Sequence, residues 1–149
     1  MFVGTDASEL NWWLRRFAPR ISLRLSPDFA EVVSPQGVAR SAAVLSVIRK
    51  GDRAIVAGIG DEPVADAAAG RIRAFQLPGA VLTADDAAAR FLSVLLKRLP
   101  PSGGFIRPVV IVEGLSSLDA ALGGQHVAIV TRALTACGAA AAVIRDVAA

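Results

Sequence analysis

Near the start of the chain, Leu10, Trp13, Leu14 and Phe17 fall at i, i+3, i+4 and i+7, the spacing of one apolar stripe on a helix. Arg15 and Arg16 point away from that stripe, Trp12 sits nearly opposite its centre, and Pro19 stops the helix. The pattern then changes to period two. Residues 21–25 and 29–33 alternate apolar and polar around a Ser26-Pro27-Asp28 turn, and Ser34-Pro35-Gln36-Gly37 is a second turn. Two more strands are predicted over 43–49 and 53–58, joined by Lys50-Gly51-Asp52.

The second half alternates helix and strand. Residues 61–69 predict a short helix with Pro63 and acidic residues in its first turn, and 71–76 predict a strand. Thr83 caps a helix over 84–99 whose core face is Ala88, Phe91, Leu92, Leu95 and Leu99. After a loop over 100–104, the segment 108–112 is apolar throughout, as expected of a central strand buried on both faces. A helix over 125–136 ends at Gly138, and 140–144 is a last strand. Antiparallel strands followed by β-α-β units predict an α/β fold, a mixed sheet with flanking helices. Residues 1–19 form an N-terminal helix and linker outside the body, and 20–149 form the domain.

A chain of 149 residues, 54% hydrophobic and 19% charged, is long and apolar enough to bury one core. No segment approaches the ~18 apolar residues of a membrane span. Asp6 and Glu9 precede the apolar N-terminal residues, the wrong order for a secretory signal, so a cytoplasmic location is expected. The net charge of +3 is unevenly placed: residues 1–24 carry +2 and the remaining 125 carry +1. No basic stripe with interleaved aromatics crosses the body, so nucleic acid is not an expected partner. Cys137 and His126 are each single and read as structural residues; neither a metal site nor a catalytic set is predicted.

The positive excess lies beside the aromatic helix, which needs something to dock on. Its own core and a protein groove are two surfaces that would serve. The favoured one is an anionic membrane face taking Leu10, Trp12, Trp13, Leu14 and Phe17, with Arg15 and Arg16 at the headgroups. A helix of about two turns is marginal in water, so it would fold on contact.

Four phrases add to this reading. Residues 43–58 (AVLSVIRKGDRAIVAG), 70–85 (GRIRAFQLPGAVLTAD), 107–116 (RPVVIVEGLS) and 136–149 (ACGAAAAVIRDVAA) keep the order and spacing of PSVVAIRK…VLAVG, GNIVAIRPLKDGVIAD, RPRVVIGVPSG and AGAREVYLIEEPMAA. Those passages belong to the first half of MreB-type bacterial actins, which the chain resembles over residues 21–149. The resemblance implies an actin-like (ribonuclease H-like) mixed sheet, a single half-actin domain behind an N-terminal amphipathic helix.

It also marks departures. The family's first phosphate loop, D-L-G-T, stands here as Arg24-Leu25-Ser26-Pro27: a cation replaces the carboxylate near the metal, no glycine remains, and Pro27 lacks an N–H. V-P-S-G becomes Val112-Glu113-Gly114-Leu115, and the family's Glu-Glu-Pro becomes Arg145-Asp146-Val147. The second phosphate loop and the adenosine pocket belong to the family's other half, so no nucleotide or other cofactor is expected. Family members attach to the inner membrane face through an N-terminal helix or a hydrophobic loop, and residues 8–17 occupy the place of such a helix. The expected function is a non-enzymatic, membrane-associated cytoskeletal or scaffold module, peripheral on the inner face of the cell membrane. It would form a homo-oligomer, or bind an MreB-type filament or other cell-shape or division components, without ATP. The alternative is half of a split actin-like ATPase completed by a second chain.

Overall fold

The computed structural model describes residues 2–60, 70–76, 82–99 and 107–145. Two sheets share one main core. The larger has six strands in the order β1-β9-β8-β2-β3-β4, formed by β1 (Phe2–Gly4), β9 (Ala141–Arg145), β8 (Val109–Glu113), β2 (Arg20–Leu25), β3 (Phe29–Ser34) and β4 (Gly37–Ala42). Strands β2, β8, β9 and β1 pair in parallel, while β2-β3-β4 is an antiparallel meander. The smaller sheet has the order β6-β5-β7, with β5 (Val44–Lys50), β6 (Arg53–Ile59) and β7 (Gly70–Arg73) all antiparallel. The sheet is therefore mixed, as the strand and helix order predicted.

The side-chain pattern of β8 explains its central place. Val110 and Val112 face the core under the helices, and Val109 and Ile111 are buried on the opposite side. Helix α2 (Ala84–Lys97) buries Ala88, Phe91, Leu92 and Leu95 against the first face. Thr83 accepts a hydrogen bond from the Asp86 N–H (3.1 Å) and closes its first turn. Helix α3 (His126–Ala136) packs beside α2 through Ile129, Val130, Ala133 and Leu134. Its end is a Schellman turn: Gly138 at φ +88° donates to the Thr135 carbonyl (3.0 Å) and Ala139 donates to that of Leu134 (3.1 Å). Phe75 stacks edge-on against Phe91 at 5.5 Å, and Leu45, Val47 and Ile59 join the same core, fastening the small sheet to α2.

The N-terminal segment is part of this body and not an appendage. Phe2–Gly4 adds to the sheet edge in parallel with β9, pairing Phe2 with Ala141 and Gly4 with Val143. Leu10 and Ala18 then bury against Val109, Ile111, Ala141 and Val143, so a second, smaller core covers part of the sheet's other face. The predicted helix over 61–69 and the loop over 100–104 lie outside the described residues.

Candidate functional site

Helix α1 (Trp12–Phe17) carries the first candidate site. Asn11 caps it by accepting from the Trp13 N–H (3.0 Å), and Arg15 and Arg16 occupy its last turn, where the helix dipole favours cations. Leu10 precedes that cap, so it is not on the helix at all, and it is 3% exposed. The stripe read from the sequence is thereby divided. Leu14 and Ala18, with Leu10, form the line that packs on the sheet. Trp12, Trp13 and Phe17 are 60%, 48% and 46% exposed.

These three rings form a cluster of their own. Their centroids are 6.0 Å (Trp12–Trp13), 6.1 Å (Trp12–Phe17) and 4.5 Å (Trp13–Phe17) apart. The Arg16 guanidinium lies 5.9 Å from the centre of the Phe17 ring. Trp12, which the helical spacing put opposite the apolar centre, is the most exposed member. Three adjacent aromatics left in water, beside two arginines, make an apolar patch with a basic border. Tryptophan suits a surface with one apolar and one wet side. The patch is also held in place from below by the Leu10–Leu14–Ala18 line, so it does not depend on folding at contact.

The second candidate region is the β2–β3 turn, the place of the degenerate phosphate loop at Arg24, Ser26 and Pro27. Ser26 donates its N–H to the Phe29 carbonyl (2.9 Å) and the Phe29 N–H returns to Ser26 (3.4 Å), closing a tight hairpin. The Ser26 hydroxyl also donates to the Phe29 carbonyl (3.1 Å). Two of the turn's N–H groups are thus used and Pro27 has none, so the turn lacks the row of free amides that cradles a phosphate. Asp28 sits at its tip and pairs with Arg73 (3.3 Å), adding a carboxylate to the turn.

The turn after β8 closes the region further. Gly114 adopts φ +76° against the Leu25 backbone, and a Cβ there would run into the Leu25 carbonyl oxygen. Ser117 Oγ also donates to that carbonyl (3.3 Å). Backbone and a serine hydroxyl thus fill the space between the two strand ends. Arg24 pairs with Glu113 at 3.6 Å. The strand register extends this into a row across five strands, Arg145, Glu113, Arg24, Glu31 and Arg40, with charge alternating at every step. Arg40 pairs with Glu31 at 2.9 Å and lies over the Phe29 ring at 4.8 Å. Nothing in the linear sequence marks this row, because its members are brought together only by register.

Asp6 stands at the edge of this face. The Ser8 N–H, bonded at 2.9 Å, and the Ser8 hydroxyl hold its carboxyl below the ordinary value, and the Arg145 charge lowers it further. On the helical face, burial pushes the Cys137 thiol above its usual value, and the thiol donates to the Ala89 carbonyl at 3.7 Å. His126 lies 3.4 Å from Asp119 at the start of α3. Among the described residues no group of three or more His, Cys, Asp and Glu is placed to hold a metal, and no helix is long and apolar enough to cross a membrane.

No family model and no curated protein matches the sequence. Solved structures match its fold. MreB5 of Spiroplasma citri bound to AMPPNP superposes with a TM-score of 0.59 and 16% identity, over 88% of this chain and 39% of that one. The same protein bound to ADP gives a TM-score of 0.56 and 16% identity, over 87% of this chain and 38% of that one. A non-polymerising mutant of MamK bound to AMPPNP gives 0.57 and 14% identity, over 87% and 41% of the two chains. The fold is actin-like, and the chain spans about two fifths of the length of these proteins, which fits a single half-domain.

Proposed function

We propose that this chain is a membrane-docked, actin-like scaffold module that works without nucleotide. The observation that carries the membrane half of the reading is the exposed Trp12–Trp13–Phe17 cluster, bordered by Arg15 and Arg16 and held from below by Leu10 and Leu14. Aromatic rings insert at headgroup depth, and each arginine near an anionic surface adds about 1 kcal/mol of attraction. A single patch of this size is a weak anchor, so stable attachment calls for several copies acting together. Self-association through the actin-like body, or attachment to a filament of actin-like proteins, would supply them.

Independence from nucleotide is supported by the β2–β3 turn. The Ser26 and Phe29 amides are used within the hairpin, Pro27 has none, and Gly114 and Ser117 hold the neighbouring strand end against Leu25. A second chain completing an ATP site would meet the same filled turn, which disfavours the split-ATPase alternative. Assembly is then governed by concentration, lipid or partner.

Sedimentation with phosphatidylglycerol-rich vesicles tests the reading. The parent is expected in the lipid pellet, and the Trp13→Glu/Phe17→Glu double variant, folded by circular dichroism, in the supernatant. Equal behaviour of the two would assign the patch to a protein partner.

A further inference from the structure

We infer that the free edge of β6 is a docking site for an extended, acidic–apolar peptide segment of a partner protein, which adds to the small sheet as a fourth strand. The inference is independent of membrane docking and concerns the small sheet, to which the aromatic patch does not belong. Among the described residues β6 pairs only with β5, leaving its second edge without a neighbouring strand. The β5–β6 hairpin closes at Lys50 and Arg53 around Gly51 at φ +62°. Ladder alternation from that pair turns the backbone N–H and C=O groups of Ala54 and Val56 towards the open edge.

Two cavities adjoin this edge. One, of about 430 Å³, has Val56 on the strand side and Ala89 and Val94 on the α2 side. The other, of about 510 Å³, is lined by Ile55 and Arg53. Arg90 borders both. An edge strand with a helix-walled groove beside it is the geometry by which peptides join a sheet: main-chain hydrogen bonds give affinity and alternate side chains enter pockets.

Charge selects the occupant. Among the described residues, Arg53 and Arg90 make no ion pair or hydrogen bond, and no carboxylate lines either cavity. Two guanidinium groups with no partner among the described residues, beside apolar side chains, favour a strand that carries carboxylates next to its apolar side chains. A basic strand would be repelled, and a purely apolar one would offer neither cation a carboxylate. Exposed Ile55 then becomes part of a covered surface.

The test uses the full chain and three fluorescein-labelled octapeptides: alternating valine and glutamate, alternating valine and lysine, and the glutamate peptide N-methylated at every backbone nitrogen. Fluorescence anisotropy should show binding of the first only, with a Kd below about 1 mM. Arg90→Glu, on an exposed helix surface, should weaken it at least tenfold, and Ala54→Pro, which removes an outward N–H, should weaken it similarly. Equal binding of the glutamate and lysine peptides, binding of the methylated peptide, an unaffected Arg90→Glu variant, or no binding of the glutamate peptide would each overturn the inference.

Discussion

At the scale of single residues, neighbours in sequence have opposite duties. Leu10 is buried under the sheet while Trp13, three positions on, is half in water. Leu10→Ala should therefore cost about 2–4 kcal/mol in urea denaturation. Trp13→Ala should cost under about 1 kcal/mol, mainly the ring contact with Phe17. Gly114 is constrained twice, by its left-handed φ and by the Leu25 carbonyl. Gly114→Ala should destabilise by about 2 kcal/mol in the same measurement. Arg24 lies between Glu31 and Glu113 in register. Arg24→Asp restores a carboxylate at the start of the turn, yet it sets three acids in a row. It should lower stability by up to about 1 kcal/mol and give no ATP binding in equilibrium dialysis. Cys137, its thiol raised by burial, should react with iodoacetamide at pH 8 far more slowly in the folded protein than in urea.

At the scale of elements, legibility followed the strength of the local pattern. Helices α2 and α3 could be read because a 3.6 period, the Thr83 cap and the Gly138 stop agree with one another. Strand β8 could be read because a central parallel strand is apolar on both faces. Strand β1 could not: three residues carry no period, and its place is set by the parallel edge that β9 offers. Strand β4 reads poorly because Gly37–Ala42 has a single β-branched residue, and pairing with β3 decides it. The α1 stripe divides differently from its spacing, because Leu10 continues the helical spacing one residue before the Asn11 cap. Spacing alone does not show where a helix begins, so it groups a core residue with the exposed aromatic rings.

At the scale of the whole molecule, element order carried more than any one phrase. The meander, the small sheet, α2 and the β8-α3-β9 unit follow each other as in an actin-like half-domain, and structures at 14–16% identity superpose on it. The turn region was legible in part. The loss of glycine and the gain of Pro27 can be seen in the sequence, but the filling of the space by Gly114 and Ser117 depends on strands far apart in the chain meeting. The N-terminal segment supplies the sheet with an extra edge strand and a partial second layer, so the aromatic patch moves with the body as one piece. Such a patch loses little conformational freedom on binding, and its affinity should depend on aromatic insertion more than on coupled folding.

Both tryptophans of the chain lie in this patch, so intrinsic fluorescence reports on it without a label. The most direct measurement is tryptophan emission during titration with anionic vesicles containing brominated lipids. The membrane-docked account predicts a blue shift and quenching by bromines placed near the headgroups, both weakened in neutral vesicles. Emission that stays unshifted and unquenched at saturating anionic lipid would contradict it.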